Sequence, residues 1–208
     1  MKTMFAPGAR HTRAFTLLEL LVVITIIAIL GSLAAGQVIK AIEQANRLKT
    51  QTLANELKTG IDAYLTDYNH FPIDTNTQAA NGEDVPEILT DGSNPLVEAL
   101  MGIPPAPGAT DLNPKRTPFA PFTPGNKDRH GIAGTARPYR LNDMWGQPFH
   151  IRLDTNGDNQ VKNPDATNAD PKISQNQPSH LAARVIVYSS GKDMTPQTAD
   201  DVASWRQK

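Results

Sequence analysis

The residues of this chain that could do chemistry are mostly acids. Asp193, Asp200 and Asp201 fall within nine residues of each other near the C-terminus. Three carboxylates drawn together repel unless a cation joins them, and hard oxygen donors suit calcium. A solvated acidic loop, with Asp200 capping a short helix that holds Trp205, satisfies the same spacing. A second cluster, Asp154, Asn156 and Asp158, places oxygen side chains at alternate positions, as at the start of an EF-hand-type loop. Asn159 stands where that loop needs glycine, and Asp165 stands at position twelve in place of Glu. The better reading of this cluster is an Asx-rich turn between two strands. Glu19 lies near the start of a long apolar run, where a carboxylate costs a few kcal/mol unless it is paired or interfacial. A helix dipole would favour it there, and so would a cationic partner.

Other chemistries find no support. The five histidines, His11, His70, His130, His150 and His180, show no ligand spacing. No Gly-rich phosphate loop follows a strand, and no serine sits in a Gly-x-Ser-x-Gly turn. The chain has no cysteine, which removes disulfides and thiolate sites. The formal net charge is −1, so no basic field invites nucleic acid. The sequence therefore predicts a protein that is not an enzyme.

The elements that position these residues divide the 208-residue chain in two. Residues 1–13 carry Lys2, Arg10, His11 and Arg13 and no acid. No charge occurs from Leu20 to Ile39, a span long enough to cross a bilayer as a helix. The basic flank keeps the N-terminus cytoplasmic and puts the remainder outside. A secretory signal peptide competes with this reading, cut near Gly31-Ser32-Leu33-Ala34-Ala35. The helical pattern continues through that stretch, which argues against a cut. Val38, Ile39, Ile42, Ala45, Leu48, Leu53, Leu57, Ile61, Tyr64, Leu65 and Tyr68 recur at spacings of three and four as an apolar stripe, with Gln44, Asn46, Arg47, Lys49, Glu56 and Lys58 on the other face. One helix from Phe15 to about Tyr68 would span roughly 80 Å. Phe71-Pro72 ends it.

Beyond the helix, most of the 17 prolines and 14 glycines predict a loop-rich region. Leu96–Met101 reads as a short helix, and 102–124 as an irregular surface loop. Phe149, Ile151 and Leu153 alternate as in a half-buried strand, and Ala183–Ser189 is a second strand.

The string Arg13-Ala14-Phe15-Thr16-Leu17-Leu18-Glu19-Leu20, with its apolar continuation, resembles the class III signal of type IV prepilins and pseudopilins. The resemblance implies cleavage by a prepilin peptidase between Ala14 and Phe15, with N-methylation of Phe15. It also implies that Glu19 pairs with the N-terminal amine of a neighbouring subunit during assembly. The family usually has Gly before the cut, where this chain has Ala14. Tyr68-Asn69-His70-Phe71-Pro72 and Asp143-Met144-Trp145-Gly146-Gln147-Pro148-Phe149 resemble segments of the major, G-type pseudopilins. So does the run Tyr188-Ser189-Ser190-Gly191-Lys192-Asp193, with Asp200-Asp201 and Trp205 after it.

That resemblance implies an α+β pilin fold, a long N-terminal helix packed on a small antiparallel sheet with a loop-rich C-terminal region. The implied domains are a leader (1–14), the long helix (15–68, its membrane and filament-core half 15–39) and a globular domain (69–208). It implies one structural calcium on Asp193, Asp200 and Asp201, with the Ser190 and Val202 carbonyls as further ligands. The implied role is a structural subunit of a type II secretion pseudopilus. Such a subunit spans the inner membrane once, carries its globular domain in the periplasm, and polymerises with itself. Its partners are minor pseudopilins, the prepilin peptidase, the inner-membrane assembly platform and membrane lipid, with no nucleic acid. A pilin of a type IV pilus is the alternative, since it shares the N-terminal signal.

Overall fold

The computed structural model describes residues 15–74 and 82–206. The leader, residues 1–14 with Ala14, lies outside the described residues. The chain divides into two units, Met1–Gln44 and Ala45–Lys208.

In the first unit the described residues form the opening part of helix α1 (Leu17–Tyr68). Leu17, Leu18, Leu20 to Ile24, Ile26, Ile27, Ile29 and Leu30 are all exposed, around every side of the helix, as is Phe15 before it. A helix apolar all round is suited to lipid or to a protein core. This segment is long and apolar enough to anchor the N-terminus in a membrane. Its hydroxyls are satisfied locally: Thr25 Oγ1 donates to the Leu21 carbonyl at 2.7 Å and Ser32 Oγ to Ile29 at 2.8 Å. That removes the cost of bare hydroxyls in an apolar medium.

The second unit is built on the later turns of α1. Leu53, Ala54, Leu57, Ile61, Tyr64 and Leu65 form the buried stripe. Leu48, counted in that stripe from its spacing, is 62% exposed. Around the stripe pack Leu96, Val97 and Leu100 of α2 (Leu96–Leu100) and the inner face of a four-stranded sheet. The sheet comprises β1 (Ile88–Leu89), β4 (His150–Leu153), β7 (Val185–Ser189) and β8 (Val202–Ala203). Their order is β1-β4-β7-β8 and every pairing is antiparallel. Ile151 faces Val187 and Leu153 faces Val185, so the period-two alternation of the paired strands puts these four aliphatics and Phe149 into one layer. The α+β pilin-like architecture expected from the sequence is the one observed.

Two small pairs complete the unit: β2 (Gly131–Ala133) with β3 (Arg140–Asn142), and β5 (Val161–Lys162) with β6 (His180–Leu181). Helix α3 (Pro171–Ser174) lies between β5 and β6, capped by Asp170. The segment 102–124 is irregular, as its prolines require. It is not all surface, because Leu112, Asn113, Ala120 and Phe122 are buried. Gly60 explains part of this: a Cβ there would stand 2.8 Å from Ala120, so α1 can receive the loop only at a glycine. Trp205 sits in a turn after β8 rather than in a helix, which removes the expected helix cap by Asp200.

Leu57 is fully buried on the helix face that carries the sheet and α2. Leu57→Ala is expected to cost about 2–5 kcal/mol, read from the urea midpoint of the full chain in detergent.

Candidate functional site

The first candidate is the start of α1. Thr16 and Glu19 form a reciprocal capping box. The Glu19 amide donates to Thr16 Oγ1 at 3.1 Å, and the Thr16 amide and hydroxyl donate to Glu19 Oε2 at 3.3 and 3.1 Å. Sequence reasoning weighed the helix dipole at Glu19 and missed the Thr16-x-x-Glu19 pattern, which was readable. Among the described residues no cation pairs with Glu19. Phe15 is exposed one residue before the cap.

The second candidate is the loop between β7 and β8. Its ends meet where Ser189 pairs with Val202, which brings Ser190 and Val202 close together. Asp200 Oδ2 accepts from the amides of Lys192 and Asp193 at 2.6 and 2.9 Å, and Oδ1 from Thr198 Oγ1 at 2.8 Å. Asp193 Oδ1 accepts from the Thr195 amide at 2.8 Å. Asp201 Oδ2 accepts from the Gln197 amide at 2.8 Å. Gly191 has φ of +67°, and a Cβ there would meet the Asp200 carbonyl at 2.5 Å, so the turn needs glycine. The acids thus close the loop through its own amides. Asp201 is 3% exposed, and burial pushes its carboxyl up to about 6 although the Thr198 and Gln197 amides and Arg206 oppose the rise. Donor chemistry here is all hard oxygen. Even so, among the described residues no three acids or histidines are gathered around one point as a metal cage.

The third cluster, after β4, is a chain of Asx turns. Asp154 accepts from the Gly157 and Asn159 amides at 2.8 and 2.9 Å, Asn156 from Asp158, and Asp158 from Gln160. Asn159 adopts the left-handed conformation, φ +60°. Asp165 lies apart from that turn and receives Trp205 Nε1 at 2.8 Å and Arg206 through Nε and a terminal nitrogen. It fastens the chain after β8.

Two buried networks were not foreseen. Asp143 is fully buried and opens the turn before β4. Its Oδ1 accepts from the Trp145 and Gln147 amides, both at 2.8 Å, and its Oδ2 accepts from Ser189 Oγ at 2.5 Å. Gly146 supplies φ +89°. The Asp-x-Trp-Gly-x-Pro-Phe string is therefore a turn whose acid also grips β7. Burial holds the Asp143 carboxyl above its ordinary range even against those donors.

The other network centres on Glu87. Glu87 Oε1 meets His150 Nδ1 at 2.7 Å, and Oε2 accepts from Arg152 Nε and the Tyr188 hydroxyl, both at 2.8 Å. His150 stacks on Tyr188, and its Nε2 reaches Ser190 Oγ at 3.0 Å. Hydroxyl, imidazole and carboxylate stand in the order used by acyl-transfer enzymes. Ser190, however, is 3% exposed, so its hydroxyl is not open to a substrate in this arrangement. The chain of bonds instead ties the β7–β8 loop to β4 and to the segment before β1. The alternation His150-x-Arg152 on the outer face of β4 was a visible signal. Glu87, 63 residues away from His150, offered none.

Burial alone would raise Glu87, but the donors from His150, Tyr188 and Arg152 outweigh it and hold the carboxyl at about 2. A depressed acid stabilises the fold above its unfolded value of about 4.5 and loses that contribution as pH falls toward 2. Glu87→Gln is expected to cost on the order of 1–3 kcal/mol at pH 7. The gap between wild type and variant should close between pH 4.5 and 2 in urea titrations. A gap that is constant with pH would mean the carboxylate charge is not what matters.

Comparison with known families adds one finding. Residues 9–35 match the family model of the prokaryotic N-terminal methylation motif. Neither a characterised protein nor a solved structure matches the chain. The matched segment contains Ala14, Phe15, Thr16 and Glu19 and runs into the apolar part of α1.

Proposed function

We propose that the chain is a structural subunit of a type II secretion pseudopilus. Its N-terminus is type IV prepilin-like, of the kind a prepilin peptidase processes, and the methylation motif over residues 9–35 is the observation that carries this. In the proposal the peptidase cuts between Ala14 and Phe15 and Phe15 is N-methylated. The subunit spans the inner membrane once with its globular domain in the periplasm. It then polymerises with itself and with minor pseudopilins on an inner-membrane platform. The choice of pseudopilus over type IV pilus rests on the sequence resemblance of the Asp143 turn and the 188–205 segment.

Glu19 is the assembly residue in this reading. Left alone in lipid, its carboxylate carries a penalty of about 2.5–3.5 kcal/mol. The cleaved amine of a neighbouring Phe15 would offset that and set the axial register. Thr16 positions the carboxylate meanwhile, through the capping box. Glu19→Ala is expected to leave cleavage intact and lower the sheared-filament yield at least about tenfold, the ratio that about 1.4 kcal/mol supports. Wild-type yield from that variant would contradict the role. Deleting the chain in its source cell should trap exported proteins in the periplasm. Loss of surface pili with export intact would assign it to a type IV pilus instead.

Calcium at Asp193, Asp200 and Asp201, with the Ser190 and Val202 carbonyls, belongs to the same proposal. The supporting observation is Asp201, an acid ionised at a cost in a buried loop end. A folded value raised to about 6 means that this group destabilises the fold as pH rises through the interval from 3.8 to 6. Asp201→Asn is therefore expected to raise the Tm at pH 8 with chelator present, and to abolish the further rise that millimolar calcium gives the wild type. A wild-type Tm indifferent to calcium would remove the ion from the account. Asp154, Asn156 and Asp158, whose oxygens are engaged by the amides of their own turn, are a weaker second place for it.

A further inference from the structure

A second kind of site lies on the globular unit away from the acidic loop. A cleft of about 710 Å³ opens between α1 and the segment that leads into β2. Lys49 of α1 lines one side, and Lys127, Arg129 and His130 line the other. No acid is among its lining residues. Lys49, Lys127 and Arg129 form no ion pair among the described residues. His130 Nδ1 is buried with no hydrogen-bond partner. Glu56, further along α1, is the acid whose charge reaches His130. A protein of net charge −1 has thus gathered around one opening three cations that have no ion pair among the described residues.

The backbone that presents them is held in a form that costs energy. Lys127 and Asp128 are the central residues of a two-residue turn closed by Asn126 and Arg129, whose amides and carbonyls exchange bonds at 3.0 and 3.1 Å. Both have positive φ, +52° and +60°, and His130 follows at +52°. Such a turn favours Asn or Gly, and lysine there is strained. The turn is pinned from outside: the His130 amide donates to the Asp143 carbonyl at 2.6 Å, and Asn142 Nδ2 to the Asp128 carbonyl at 2.9 Å. Strain of this kind persists where a site needs the side chain in place.

We propose that this cleft is an oxyanion site for a phosphate-class group. Lysines from two elements, an arginine and a histidine line it. That set suits a phosphate-class anion with several acceptor oxygens better than a single carboxylate. Free phosphate and the phosphodiester headgroup of an anionic lipid share this chemistry. The site does not depend on the filament assignment.

The test uses the full chain in zwitterionic micelles at low salt. Inorganic pyrophosphate is titrated in one arm, and phosphatidylglycerol added to the micelles in the other, with phosphatidylcholine as the blank. Phosphorus NMR line broadening reads binding. Saturable binding in either arm is expected, and the arm that responds identifies the source. Lys127→Gly is the informative variant. It relieves the positive φ, so its Tm should match or exceed that of the wild type, while affinity falls at least tenfold. Arg129→Lys should retain most binding and Arg129→Gln should lose it. Lys49→Gln, on α1 and outside the turn, should weaken binding as well. Absence of binding in both arms, or wild-type affinity in both Lys127→Gly and Lys49→Gln, would overturn the proposal.

Discussion

The placement of one carboxylate governs much of this molecule. Glu19 is the fifth residue after the expected cut, at the head of a helix whose apolar side chains are exposed on every side. Among the described residues its carboxylate meets only the amide and hydroxyl of Thr16. Those bonds cap the helix, but neither bears a positive charge. A bare acid on such a helix is tolerable at an interface and costly in lipid. The helix therefore carries a demand that a neighbour can meet, and the match to the methylation motif says what kind of N-terminus carries it.

The same helix serves a second purpose further along. From Leu53 to Leu65 its buried stripe receives α2 and the inner face of the sheet. What the core cannot fasten, acids do. Asp143 joins the turn before β4 to β7, Glu87 joins three side chains of β4 and β7, and Asp165 holds Trp205 and Arg206 after β8. The β7–β8 loop is thereby fixed at both ends and through Ser190. A loop held so firmly links Asp200 to the Asp193 amide, and it buries Asp201 at the expense of easy ionisation.

Much of this was legible in the sequence, and the reasons differ by element. The run from Leu17 to Tyr68 announces itself because its apolar residues first surround the helix and then narrow to one side. β4 and β7 were readable from alternation and β-branched content. The short strands β5, β6 and β8 were not, since two residues carry no period. Leu48 was misplaced because spacing cannot say where along a helix the packed domain begins. The segment 102–124 reads as surface from its prolines, yet Ala120 and Phe122 reach the core through the gap at Gly60. At the candidate sites, the acids were found by type, but their hydrogen-bond partners were not. Glu87 in particular sits in a featureless stretch and acquires its role from strands more than sixty residues away.

The central claim is that Phe15 becomes the N-terminus. The most direct measurement is the mass of the N-terminal peptide of the protein taken from its native membrane. The account predicts a peptide that begins at Phe15 and carries one methyl group on its amine. A peptide beginning at Met1, or one beginning after Ala35, would contradict it and leave the chain as an anchored or secreted domain.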